Sequence, residues 1–488
     1  MSLIIYNRLD TRMTIDSPLD AAPLKPAPAK PIVNGLLTAP ILPTLFTLAL
    51  PNAVAMVGST LVAVAETSYI GRLGTVPLAA IALVFPFAML TQMMSAGAMG
   101  GGVSSAISRA LGAGDRERAA TLALHAAIIG LGAGALFTVI MLLFGRQFFA
   151  LLGGRGRVLD EACAYSNVLF AGASTIWLVN TFASVLRGTG DMRLPSLTLI
   201  AAGLVQIVVG GTFGLGLAGM PQFGMRGVAA GQLAAFSLTM LFLAWYLASG
   251  RGRLTLAFSA FRFQRAMFVD ILKVGAVACL SPLQTVLTIL IFTKILAGFG
   301  TETLAGYGIG SRLEFLLIPI TFAFGIASIP MVGMAIGAGR VARARRIAWV
   351  AAGAAGVTLG VIGAILAIQP SLWVALFTND PAVTAAAHSY FAWAGPAYAF
   401  FGTGVCLYFS SQGAAKVGGP VLASSARLAM VAIGGWWLSS AGAPAWTLFA
   451  LVGAAMVVFG LATAGAVLFT RWGKETSSRS GTREPKVA

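Results

Sequence analysis

The sequence predicts an all-α integral membrane protein: twelve transmembrane helices in two six-helix lobes, related by a pseudo-two-fold axis along the membrane normal. Three observations predict it. Of 488 residues, 58% are hydrophobic and 10% charged, whereas a soluble domain carries about 25% charged residues. The apolar residues fall in long runs, and about 20 such residues cross a hydrocarbon core. Finally, short motifs of the first half recur in the second at a fixed offset.

Spans are expected near 40–68, 78–107, 120–143, 162–186, 194–217 and 227–248, then 268–297, 303–335, 347–369, 383–410, 420–441 and 444–470. The chain divides accordingly into a disordered cytoplasmic tail (1–37), a first lobe (38–248), a cytoplasmic linker (249–266), a second lobe (267–470) and a cytoplasmic tail (471–488). The first tail is polar and rich in proline (Pro18, Pro23, Pro26, Pro28, Pro31), without the pattern of a cleavable signal peptide.

Lys and Arg set the orientation. Loops after even-numbered spans and both tails hold 24 of them, and loops after odd-numbered spans hold six. Both termini are therefore expected in the cytoplasm of a cell (inner) membrane protein. The net charge of +17 is spread through these loops and not gathered on one soluble face, which excludes nucleic acid as the partner. The expected partners are the lipid bilayer and small molecules, with the chain a monomer.

The repeat is explicit. Residues 112–119 read GAGDRERA and residues 337–344 read GAGRVARA, an offset of 225 that also carries Gly188 onto Gly413 and Pro195 onto Pro420. Gly74-Thr75 and Leu78-Ala79 fall on Gly300-Thr301 and Leu304-Ala305 with one residue of slippage. Six spans per unit give both halves the same orientation, so the repeat is parallel, and a central cleft between rocking lobes follows.

The run Glu66–Gly74 (ETSYIGRLG), then Leu78–Ala80 (LAA), Gly112–Asp115 (GAGD), Leu186–Asp191 (LRGTGD) and Tyr307–Glu314 (YGIGSRLE), resembles multidrug and toxic compound extrusion (MATE) transporters. The resemblance extends from about Ala39 to Thr470 and lies in the order and spacing of the motifs. It implies a secondary active antiporter that exports organic, cationic or amphiphilic compounds in exchange for protons or sodium. It also implies that the first span's carboxylate, here Glu66, couples ion to cargo, and that Pro51 matches a kink-forming proline. The family's fifth span often carries Asn and Asp, where this chain has Gly203, Gln206 and Thr212. NorM-type members carry acids in spans seven and ten, whereas residues 281–296 and 390–410 hold none. That places the chain closer to the DinF-like pattern.

Ionisable groups inside a membrane are costly and therefore candidates for function. Only Glu66 and Glu314 among the acids lie well within apolar spans. Asn52, Ser59 and Glu66 are spaced by seven and share a helix face, which suggests a stripe lining the cleft. A poorly hydrated carboxylate has its charged form destabilised and can load and release a proton. Sodium wants several oxygen ligands, and few are evident. The alternative is that Glu66 reaches the headgroups. Asn180 and Gln206, with Asn167 and Tyr165, either complete this site or act as interhelical hydrogen-bond glue. Arg312 and Glu314, two apart, point away from each other; one is expected to meet Gln284 or Lys294, in a transport role or a packing ion pair.

Other classes fare worse. A lipid-linked-precursor flippase needs a basic cavity for a pyrophosphate, and the only bases within spans are Arg312 and Arg427. An enzyme is not expected: His125 and His388 form no motif, Cys163, Cys279 and Cys406 are apolar fillers, and no metal site or cofactor is implied beyond a proton gradient.

Overall fold

The computed structural model describes residues 32–256 and 262–473, and among these every regular element is a helix. Twelve are long: α1 (Ile41–Leu73), α2 (Thr75–Gly112), α3 (Arg116–Leu151), α4 (Gly156–Ala171 and Ala173–Gly188), α5 (Arg193–Leu215), α6 (Gly224–Ala248), α7 (Arg265–Phe299), α8 (Thr301–Gly337), α9 (Val341–Ile368), α10 (Pro381–Gly413), α11 (Gly418–Ser440) and α12 (Ala445–Phe469). Ten are long and apolar enough to cross a membrane, and α4, bent by 48° at Gly172, makes eleven. The twelfth, α10, is 33 residues long but has no unbroken apolar stretch of the kind the other spans carry. Its neighbours α8, α9 and α12 wrap it, and a helix shielded from lipid needs less hydropathy than one facing it.

The tail expected at 1–37 ends earlier. Ile32–Thr38 forms a short helix, because Leu36 and Leu37 are apolar and bury against the main core. The remainder of that tail, residues 257–261 of the linker and 474–488 lie outside the described residues. Both chain ends meet at one face: Arg343 Nη2 donates to the Ala39 carbonyl at 2.6 Å and Arg345 Nη2 to the Thr470 carbonyl at 2.6 Å. We call this the termini face.

The repeat seen in sequence is a repeat in backbone. α2 turns into α3 through Gly114 (φ +81°) and α8 into α9 through Gly339 (φ +72°), 225 residues apart. Such angles are open to glycine and strained for other L-residues. The next matched pair breaks this rule. Gly190 has φ +82°, but its counterpart is Ala415 at φ +56°. Ala415→Gly is therefore expected to stabilise the protein by about 1 kcal/mol, read as a raised unfolding temperature in detergent.

The pseudo-axis passes where α2 crosses α8. A Cβ on Gly112 would lie 2.2 Å from the Met334 carbonyl oxygen, and one on Gly337 would lie 2.1 Å from the Arg109 carbonyl oxygen. Both pairs obey the 225 offset. Nearby, Gly333 abuts Ser108, Gly102 abuts Gly275, and the Ser105 hydroxyl donates to the Gln412 carbonyl. Phe46 packs edge-on to Phe324 at 5.3 Å. These contacts run from mid-depth to the termini face, where the lobes are closed against one another.

Candidate functional site

α1 is 33 residues long, roughly 50 Å at helical rise, so Glu66 lies about two turns from its far end. Its side chain does not reach outward. Tyr165 Oη of α4 donates to Glu66 Oε1 at 2.7 Å, and Gln206 Nε2 of α5 donates to Oε2 at 2.9 Å. Tyr165 and Gln206 are both buried. Tyr165 Oη is also 3.1 Å from Gln232 Oε1 of α6. Four helices of the first lobe thus converge on one carboxyl group. One turn along α1, the hydroxyl of Tyr69 is buried without a hydrogen-bond partner.

A tyrosine hydroxyl carries one proton. It cannot serve the carboxylate and the Gln232 carbonyl oxygen together. With Glu66 ionised, Tyr165 donates to it. With Glu66 protonated, the acid donates to Tyr165 Oη, and the phenol turns its proton to Gln232. Gln206 donates in both states. The carboxyl group therefore keeps two hydrogen-bond partners, Tyr165 and Gln206, in both states, and Gln232 Oε1 takes the phenol's proton only when Glu66 is protonated.

The expected stripe divides. Gln206 joins Glu66, but Ser59 is exposed and its hydroxyl returns to the Met56 carbonyl at 2.7 Å. Asn52 is buried with Nδ2 unpartnered, and Asn167 is exposed. Asn180 belongs to a second cluster, donating to Ser95 Oγ at 2.8 Å and Gln92 Oε1 at 3.2 Å. There α2 widens into a π-helical turn, Met93–Met99, of a kind that recurs at functional sites. Pro51 lies inside continuous α1.

In the second lobe the expected partners on the seventh span are corrected. Glu314 of α8 accepts from Tyr390 Oη of α10, because the register of α8 turns Glu314 toward α10. Gln284 instead donates to Ser425 Oγ of α11 at 2.7 Å. Arg312, on the other side of α8, stacks over the Phe377 ring at 5.2 Å. Arg427 of α11 lies over Phe401 at 5.3 Å and Phe459 at 5.8 Å. No acid lies within 4.0 Å of it among the described residues. Gln232 and Tyr390 went unnoticed in the sequence. The available signal for Gln232 was a lone amide in an otherwise apolar span.

Two parallel six-helix lobes, each with a carboxyl group turned into its own bundle, are the build of a membrane transporter. The MatE family model matches residues 51–212 and 278–437, one copy per lobe, and the chain belongs to the MATE family. The FAD transporter of Shewanella oneidensis is 28% identical over 315 residues, covering 64% of this chain and 69% of that one. The probable multidrug resistance protein NorM of Thermotoga maritima is 25% identical over 343 residues, covering 70% and 73%. A MOP superfamily transporter from Pyrococcus furiosus superposes with a TM-score of 0.81 at 24% identity, covering 89% of this chain and 96% of that structure.

Proposed function

We propose that the protein is a secondary active antiporter that exports small organic amphiphiles in exchange for protons, by rocking of its two lobes, with Glu66 as the proton-carrying group. The observation that carries this reading is the Tyr165 hydroxyl set between Glu66 and Gln232, which with Gln206 leaves the carboxyl group two hydrogen-bond partners in both protonation states. Sodium would require several oxygens turned toward one point. Here one Glu66 oxygen faces the Gln206 amide nitrogen, which disfavours a cation. The termini face is taken as cytoplasmic from the excess of Lys and Arg there, in a cell (inner) membrane, with the chain acting as a monomer.

The test is export of a fluorescent cationic dye from proteoliposomes under an imposed pH gradient or an imposed sodium gradient. Export is expected to follow the pH gradient. Export that follows sodium and ignores pH would overturn the proton assignment.

A second reading of the cargo rests on Arg427, a cation flanked by two aromatic rings with no acid in contact. It suits a flat aromatic anion, the chemistry of the cargo in the Shewanella oneidensis relative's name. Competition by FAD against dye export, lost in Arg427→Gln, is the expected result if this reading is right.

A further inference from the structure

We propose that Arg118 and Arg343 are a matched pair of clasps at the termini face, and that together they set the balance between the closed state and a state open there. The proposal rests on the rocking-lobe reading above. Its starting point is the repeat: the two arginines occupy one position of GAGDRERA and GAGRVARA, 225 residues apart.

Each sits near the start of the third helix of its own lobe and holds the entrance of the other half's first helix. Arg118 Nη2 of α3 donates to Asp270 Oδ2 of α7 at 2.9 Å. Arg343 Nη2 of α9 donates to the carbonyls of Leu36 and Ala39, just before α1, at 3.2 and 2.6 Å. The chemistry of the two grips differs. The first is an ion pair, shared by Asp270 with Arg109 at 2.9 Å and Lys273 at 2.6 Å. The second is a cation on the carbonyl end of the helix Ile32–Thr38, where the helix dipole favours positive charge. Arg340 adds a bond to the Leu37 carbonyl at 2.9 Å.

The clasps span the lobes beside the α2–α8 crossing. If the crossing parts at this face, α3 leaves α7 and α9 leaves the entrance of α1, so both grips must release together. A latch must also be breakable. The Arg118 side chain is 46% exposed, so water takes over its hydrogen bonds on release and the net cost is modest. Arg109 of α2, at 14% exposure, grips the same Asp270 across the lobes and must let go of it as well.

The experiment reads distance across the face with no gradient and no cargo. After replacement of Cys163, Cys279 and Cys406 by alanine, spin labels are placed on Glu117→Cys and Ala342→Cys, exposed positions also related by 225. Electron–electron distances are measured in lipid nanodiscs for the parent, Arg118→Gln, Arg343→Gln, both together, and the exposed control Arg116→Gln. Each single variant is expected to raise the long-distance population about two- to fivefold, with the effects multiplying in the double. Arg118→Lys, which keeps the ion pair, is expected to restore the parent distribution. Unchanged distances in both single variants, or an equal change in the control, would overturn the proposal. If the double variant does not insert, the single variants decide. Failure of the proton assignment would leave these distances as they are, so the two ideas fail separately.

Discussion

Gly112→Val or Gly337→Val is expected to lower export at least about fivefold while leaving membrane insertion intact. The obstacle is backbone. The new Cβ would come within 2.2 Å of the Met334 carbonyl oxygen in one case and 2.1 Å of the Arg109 carbonyl oxygen in the other. No side chain can rotate away to make room, so α2 and α8 must separate. Overpacking of this kind costs typically 1–3 kcal/mol, which biases a two-state equilibrium roughly 5- to 150-fold. The cost falls on the state closed at the termini face and not on folding of either lobe, since each glycine meets the other lobe only when the lobes meet. The two variants should behave alike because the two contacts are copies of one another. Dye export from cells, scaled to the amount of protein in the membrane, measures the effect. Parent-level export from both variants would show that closure at this crossing is not part of the cycle.

Glu66→Gln is the second large effect. The amide occupies the same space, accepts from Tyr165 through its oxygen and cannot titrate. Gradient-driven export is expected to fall to the level seen without a pH gradient, while cargo still binds. Tyr165→Phe should show a smaller loss, about tenfold, because the carboxyl group remains and only its switching partner is gone. Both are measured in proteoliposomes of one orientation under a fixed pH step, with cargo binding measured separately at equilibrium. Gradient-driven export that persists in Glu66→Gln would remove Glu66 from coupling, and Glu314, held by Tyr390, would be the next acid to examine.

The architecture was largely legible in the sequence because its signals are local. Hydropathy marks a span whatever its neighbours, and the glycines at 114 and 339 mark turns because their backbone angles demand it. α10, expected at 383–410 and found at Pro381–Gly413, was legible too, although its polar residues are tolerated through shielding that only the assembled bundle supplies. The site was legible in part. A lone glutamate in an apolar helix must find partners, and Gln206 was the right kind of residue to be one. The stripe through Asn52 and Ser59 was misleading because α1 passes different neighbours along its length, so one helix face does not mean one site. Glu314 makes the same point differently. Its sequence position fixes its depth in the membrane, but the rotation of α8 about its own axis, which selects α10 as its neighbour, is set by packing.

The position of the crossing has a mechanical consequence. α2 and α8 are 38 and 37 residues long, each roughly 55 Å, and they touch backbone to backbone at their last turns. Two rods joined at one tip act as levers. A swing of about 10° about that tip displaces the opposite ends by roughly 10 Å, while atoms at the joint move by a fraction of that. While the crossing stays closed, a small change of angle at residues 109–112 and 334–337 is thus geared up into a wide aperture at the other end of the bundle, the end toward which Glu66 lies.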